Sequence, residues 1–169
     1  GDTLSEEEGL AFDPLPQFPP ECFALLHNPA SSAYKRFRTG LEHLLQEGAV
    51  QAFSLTDSVQ NIPLLGAVGV LQFDVLQYRL ESEYGAASRL EPMPWRVIRW
   101  VHPDDIGQAA IRDRKLPTGC RLATDAAGRT AALFNTDWEL RYFTEKNPAV
   151  RLTRLPSVLQ RVDNDGDVA

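Results

Sequence analysis

An α+β fold, with two helices laid over one face of an antiparallel sheet, is predicted by three features of the sequence. Short apolar runs of strand length alternate with longer segments of helical period, both long segments end at a glycine, and the elements follow in the order β-α-β-β-α-β. A chain of 169 residues, 43% of them hydrophobic, is long enough to bury the core that such a plan requires, in one domain or two small ones.

After Pro20, ECFALLH is apolar and of strand length. The next segment, NPASSAYKRFRTGLEHLLQEGA, repeats apolar residues at three- and four-residue steps. Tyr34, Phe37, Leu41, Leu44 and Leu45 share one helical face, and Lys35, Arg36, Arg38, Glu42 and Gln46 point elsewhere. Ser31 or Ser32 is the expected cap, and Gly48 the left-handed residue that ends the helix. VQAFSL forms the second strand and TDSVQN a polar turn. IPLLGAVG forms the third strand, with Pro63 at its start or on an edge. A second helix from about residue 70 to 84 aligns Phe73, Leu76, Leu80 and Tyr84, and Gly85 closes it. ASRLEPMPWRVIRWV reads as one fourth strand. This is the ferredoxin-like split βαβ plan.

A second, smaller α/β subdomain is expected to follow. DDIGQAAIRD reads as a helix after Pro103, with Asp104 and Asp105 at its positive end. CRLAT and RTAALF form a hairpin through DAAG. TDWELRYFTEKN opens with the capping-box spacing Thr136 and Glu139, and VRLTRL supplies a last strand. The resulting division is a linker over 1–18, a ferredoxin-like unit over 19–101, a second unit over 102–156 and an acidic, disordered tail over 157–169.

The net charge of -6 is concentrated at the ends: Asp2, Glu6, Glu7, Glu8 and Asp13 at one, Asp163, Asp165 and Asp167 at the other. The middle is near neutrality, and its cations are mostly arginines, which suit phosphate and carboxylate partners. Gly-Asp-Thr-Leu reads as the end of a strand, followed by an acidic, proline-bearing linker, so the chain is expected to come from a larger protein. No apolar run approaches the roughly 20 residues that cross a bilayer, and a soluble cytoplasmic protein without membrane partners is expected. Cys22 and Cys120, with no CxxC, are expected to be buried free thiols.

LGAVGVLQFDVLQYRLESEYG, residues 65–85, places Gly66 and Gly69 where a phosphate loop would lie. A P-loop needs a lysine and a hydroxyl after its last glycine, and here Gly69 is followed by Val70, Leu71 and Gln72. Both glycines instead suit a close strand approach and a sharp turn into the helix. His43 and Glu47 are one helical turn apart, a solvated pair before a metal site. The Asp163–Asp167 run lacks the spacing and the glutamate of a calcium loop. Trp95, Trp100 and Trp138 read as core or interface anchors. An acylphosphatase-type enzyme would want a cation in the first strand-to-helix loop, and HNPASS has none before Lys35.

The stretches FPPECFA, LLQEGAVQAF, LGAVGVLQFDVLQYRLESEYG and RWV, in that order and spacing, resemble the carboxy-terminal domain of bacterial peptide chain release factor three, the class II release factor. GAVGVLQFDV is the most specific piece, and Glu47, Gly48, Gly66, Gly69, Gln72 and Phe73 are the structural motif positions. The opening residues resemble the last strand of a preceding β-barrel. The resemblance implies a non-catalytic part of a translational GTPase. Its parent would bind the ribosome after peptide release and promote departure of class I release factors. GTP and Mg would belong to an amino-terminal G domain, with no cofactor in this part. The implied partners are small-subunit protein and rRNA near the factor-binding site, and the parent's own G and β-barrel domains.

For ribosome contact, the cations singled out are Lys35, Arg36 and Arg38 on the first helix and Arg96 and Arg99 beside Trp100, with the turn from Thr56 to Asn61 as a further candidate. Two rival readings share the fold: a free-standing ligand-sensing regulatory module that pairs edge to edge, and a small hydrolase, which the missing cationic loop disfavours.

Overall fold

The computed structural model describes residues 18–58, 62–102, 111 and 116–156. The expected linker and barrel strand at 1–17, the tip of the turn at 59–61, the DDIGQAAIRD segment apart from Ile111, and the acidic tail from 157 lie outside the described residues.

The first round is built as its periodicities require. Strand β1 (Cys22–His27) leads through a 3-10 turn (Ser31–Ala33) into α1 (Tyr34–Gln46), then β2 (Gln51–Leu55), β3 (Leu64–Ala67), α2 (Leu71–Tyr84) and β4 (Arg89–Met93). These strands lie in the order β4-β1-β3-β2, every neighbour antiparallel, which is the split βαβ plan. Alternation along the strands then sorts the core. Ala24, Leu26, Leu65 and Ala67 point outward to Phe37, Leu41 and Leu44 of α1 and Phe73, Leu76 and Leu80 of α2. The helices cross where α1 has no side chain: a Cβ on Gly40 would stand 2.6 Å from the Tyr84 ring. Gly48 (φ 78°) and Gly85 (φ 58°) take the expected left-handed positions. The expected Ser31 or Ser32 cap is not made. Instead Asn28 accepts from the Ala30 N–H at 3.1 Å, and the 3-10 turn delivers the chain to α1 without a capping side chain.

The reading of residues 87–101 as one fourth strand is corrected. β4 ends at Met93, Pro94 interrupts the ladder, and β5 (Val97–Val101) pairs with other partners. Pro92 is tolerated because β4 is an edge strand. β6 (Arg121–Asp125) and β7 (Thr130–Phe134) form the expected hairpin. Helix α3 (Asp137–Lys146) starts at the expected capping box, and β8 (Leu152–Thr153) is the last strand.

Among the described residues the strands form one sheet, β4-β1-β3-β2-β6-β7-β5-β8, because β6 joins the free edge of β2. The sheet curls back on itself. Phe53 of β2 and Trp100 of β5 are three strand positions apart, about 14 Å in a flat sheet, yet their rings are 6.4 Å apart. The curl creates an inner core from Phe23, Phe53 and Leu64 of the first half and Ile98, Trp100 and Leu133 of the second. A third cluster, centred on Phe134, lies between the second half and Phe143 of α3. Trp95 and Trp100 are core anchors, whereas Trp138 is 63% exposed. Both cysteines are free; Cys120 is buried, and burial pushes its thiol up to about 11.

Candidate functional site

The segment GAVGVLQFDV forms the joint between β3 and α2, and its two glycines do different work. Gly66 is a close approach: a Cβ there would meet the Phe53 ring at 2.8 Å and Pro20 at 2.9 Å. Its missing side chain lets Pro20 close one end of the inner core. Gly69 is open: no atom lies within 4 Å of its Cβ position, and its φ is not left-handed. The expected steric role therefore holds at Gly66 and not at Gly69. The turn into α2 is secured by Gln72, whose Oε1 accepts from the N–H groups of Val68 (2.8 Å) and Gly69 (3.2 Å). This carboxamide folds back on the two amides just before the helix N-cap, Val70, and so fixes the turn that leads into α2. Phe73 is a core residue beneath it.

Beside the joint lies a cleft of about 690 Å³, framed by the α1–β2 turn, the β3–α2 joint and the β6–β7 hairpin. Four motif positions, Glu47, Gly48, Gly66 and Gln72, line it, so residues distant in sequence share one structural feature. Phe18 lies at its rim, and Asp125 and Arg129 come from the hairpin. No lysine, serine, threonine, histidine or cysteine is among the described residues lining it.

The charged groups here are committed to the fold. Burial pushes Asp125 up, but bonds from the Arg129 amide and guanidinium and the Trp100 indole outweigh it and hold the carboxyl below its usual range. Trp100 Nε1 donates to Asp125 at 3.0 Å, Arg129 Nε at 2.7 Å, and the amides of Ala127 and Arg129 complete the set. Glu47 bonds Arg79 of α2, which also pairs with Glu83 at 2.6 Å. The Arg79 guanidinium lowers both carboxyls, and Glu83 and then Glu47 raise the guanidinium in turn. His43 goes to the Tyr84 hydroxyl at 3.2 Å, not to Glu47. These partners connect α1 to α2.

The cations singled out for ribosome contact do not form one patch. Lys35, Arg36 and Arg38 are exposed on α1, over the first half of the sheet. Arg38 is paired with Glu42 one turn on, at 2.9 Å. Arg96 is exposed in the β4–β5 junction, with Nη1 3.7 Å from the Cys22 sulfur. Arg99 is half-buried on the α3 side of β5, over the second half. The adjacent Trp100 points into the inner core and carries no external contact. Of the turn from Thr56, residues 56–58 are described, and Thr56 donates its amide to Leu122 at 3.0 Å. One exposed feature was missed by sequence reasoning, and at another, Trp138, the packing decides between the core and interface readings. Leu71, Val75 and Tyr78 form an apolar stripe on α2 opposite its core face, and Trp138 and Tyr142 are displayed on α3. Their helical spacing is visible in the sequence, but only the packing shows that the first set faces away from the core.

Comparison with known proteins adds what geometry alone does not. Residues 12–144 match the family described as class II release factor RF3, C-terminal domain. A protein of Gloeobacter violaceus named peptide chain release factor 3 is 42% identical over 149 residues, covering 88% of this chain and 28% of its own length. One of Symbiobacterium thermophilum with the same name is 41% identical, covering 89% of this chain and 28% of its own length. Another, of Gloeothece citriformis, is 38% identical, covering 94% and 29%. The chain therefore spans under a third of the length of these relatives.

Proposed function

This chain belongs to the family of class II release factor RF3 C-terminal domains, and on that premise we propose that it is the ribosome-docking part of a translation-termination GTPase, with no nucleotide chemistry of its own. The observation that carries the reading is similarity to proteins named peptide chain release factor 3 over nearly the whole of this chain and under a third of theirs. In this reading GTP and Mg belong to the part of the parent that lies outside this alignment. The parent acts in the cytoplasm after peptide release. Docking of this domain near small-subunit protein and rRNA at the factor-binding site helps the parent promote dissociation of class I release factors.

Two features support a docking role. The GAVGVLQFDV joint is built as scaffold, with Gln72 securing the turn and Gly66 admitting Pro20. The exposed side of α1 presents Lys35, Arg36 and Arg38 without a core duty. Phosphate contacts by such residues supply affinity that falls with salt. Cosedimentation of the full chain with small ribosomal subunits across a salt series tests the reading. Binding that weakens with salt is expected, and the Lys35→Glu, Arg36→Glu, Arg38→Glu variant should reduce the logarithmic slope by about three. Absence of binding even at low salt overturns the docking reading, whereas an unchanged slope in the variant removes α1 from the contact.

A further inference from the structure

We propose that the outer side of α3, together with Arg99 and Arg154, is a docking surface for single-stranded or looped RNA, which stacks a base on Trp138 and sets a phosphate between the two arginines; this deepens the ribosomal reading and rests on it.

Helix α3 needs only Leu140 and Phe143 to pack on the sheet. It nevertheless displays Trp138 and Tyr142, 63% and 45% exposed, with ring centroids 5.4 Å apart and planes 15° from parallel. Lys146 follows one turn on, its Nζ 5.9 Å from the Tyr142 centroid. An exposed, planar aromatic pair continued by a cation suits base stacking, which tolerates any sequence because every base has a π-face.

The sheet beside this helix carries a charge arrangement that the fold does not need. β5 pairs with β8 through Trp100–Thr153 and Val101–Leu152, β8 ends there, and Arg154, in the bend that follows, lies close enough to Arg99 for the two guanidiniums to repel. Alternation along β5 puts Arg99 on the face that carries Val97 and Val101, the face covered by α3, and Arg154 is exposed beside it. Like charges this close oppose each other unless a counter-charge sits between them. Arg99 is half-buried and donates at 2.8 Å to the carbonyl of its own neighbour, Ile98. Burial lowers its guanidinium, Asp137 in the first turn of α3 counters that, and Arg154 adds to it. Asp137 thus offsets one of two arginines. Glu145 also lies on the exposed side of α3 and opposes an anion, with Arg141 and Lys146 beside it. With Glu139 of the capping box counted, four cations stand against three anions, and the positive balance is concentrated at the Arg99–Arg154 end. Arginine forks suit phosphate, and Trp138, next in sequence to the Asp137 that acts on Arg99, suits a base; an acidic peptide would use the first and leave the second idle.

The test uses the full chain, fluorescein-labelled oligouridine, a duplex of equal length and polyglutamate, with ribosome cosedimentation in parallel. Oligouridine is expected to bind better than duplex and to quench the exposed Trp138. Trp138→Ala should weaken binding about tenfold, as loss of one stacked base does. Arg154→Glu should lower the salt slope by about one or more. Because both residues are exposed, Trp138→Ala should keep wild-type thermal unfolding and Arg154→Glu, which removes a repulsion from Arg99, should keep or raise it, so Arg154→Glu tests the surface even if the helix variant does not fold. Polyglutamate binding at this face in place of oligouridine overturns the proposal. So does oligouridine binding that both variants leave unchanged, or a lack of oligouridine binding by a chain that still binds ribosomes; these results leave the ribosomal reading standing. Failure of ribosome binding with oligouridine binding intact and sensitive to both variants overturns that reading and leaves an RNA surface.

Discussion

In the first half of the sheet, two helices of 13 and 14 residues cover the outer face, whereas in the second half the described cover is a ten-residue helix. The first half keeps its large aliphatic residues beneath α1 and α2, while the second sets two neighbouring arginines beside α3 and an exposed aromatic pair on it. The strands of both halves alternate in the same way, so alternation alone does not set the difference. What the halves share is the inner core, where Phe53 from one meets Trp100 from the other. Two differently covered half-sheets are therefore expected to behave as one cooperative unit.

The largest expected effect tests that unity. Trp100→Ala should cost about 3–5 kcal/mol, as large aromatic truncations in cores do. It should destabilise both halves together, giving a single transition in urea by far-UV circular dichroism and by fluorescence. Two separated transitions would mean that the halves are independent domains.

A smaller effect sharpens the contrast within one motif. Gly66→Val should cost about 1–3 kcal/mol by forcing Phe53 and Pro20 apart. Gly69→Val should stay within about 0.5 kcal/mol, because its Cβ would enter open space. Equal costs in chemical unfolding would refute the division of labour between the two glycines.

The smallest effect lies at the seam between the halves. Asp125 sits in the hairpin whose first strand joins β2, and its folded-state carboxyl titrates below its unfolded value. Its contribution is therefore complete above the ordinary carboxylate range near pH 4 and is lost as pH falls through the folded-state value. Asp125→Asn should flatten part of the acid limb of a stability–pH series, with Glu47, Glu83 and Glu139, also lowered, carrying the rest. An acid limb unchanged by the substitution would remove Asp125 from the account.

The first half is legible because local and tertiary demands agree there. Phe37, Leu41 and Leu44 of α1 and Phe73, Leu76 and Leu80 of α2 are buried on the faces expected, although Tyr34 at the start of α1 is exposed, and Gly48 and Gly85 end the helices where a left-handed residue is needed. The β6–β7 hairpin and the Thr136–Glu139 box are legible for the same reason, as local chemistry over a few residues. The division of residues 87–101 into β4 and β5 was not legible. An apolar run is compatible with either one strand or two, and it is the distant edge offered by β7 that draws β5 away. The role of Gly69 was misread because open space around a Cβ is a tertiary fact. At the candidate site, the motif positions were named from sequence, but their gathering around one cleft depends on the hairpin joining β2. Trp138 was left open as a core or interface anchor, and it is the packing of Leu140 and Phe143 on the sheet that turns Trp138 and Tyr142 outward.

The central claim is that this chain supplies docking and not nucleotide chemistry. Its most direct test is class I release factor dissociation from post-termination ribosomes, driven by a full-length release factor with and without this C-terminal part, with GTP binding measured on both. Retained GTP binding together with lost factor dissociation is the predicted result. Undiminished factor dissociation without this part, or loss of GTP binding from an otherwise folded protein, would contradict it.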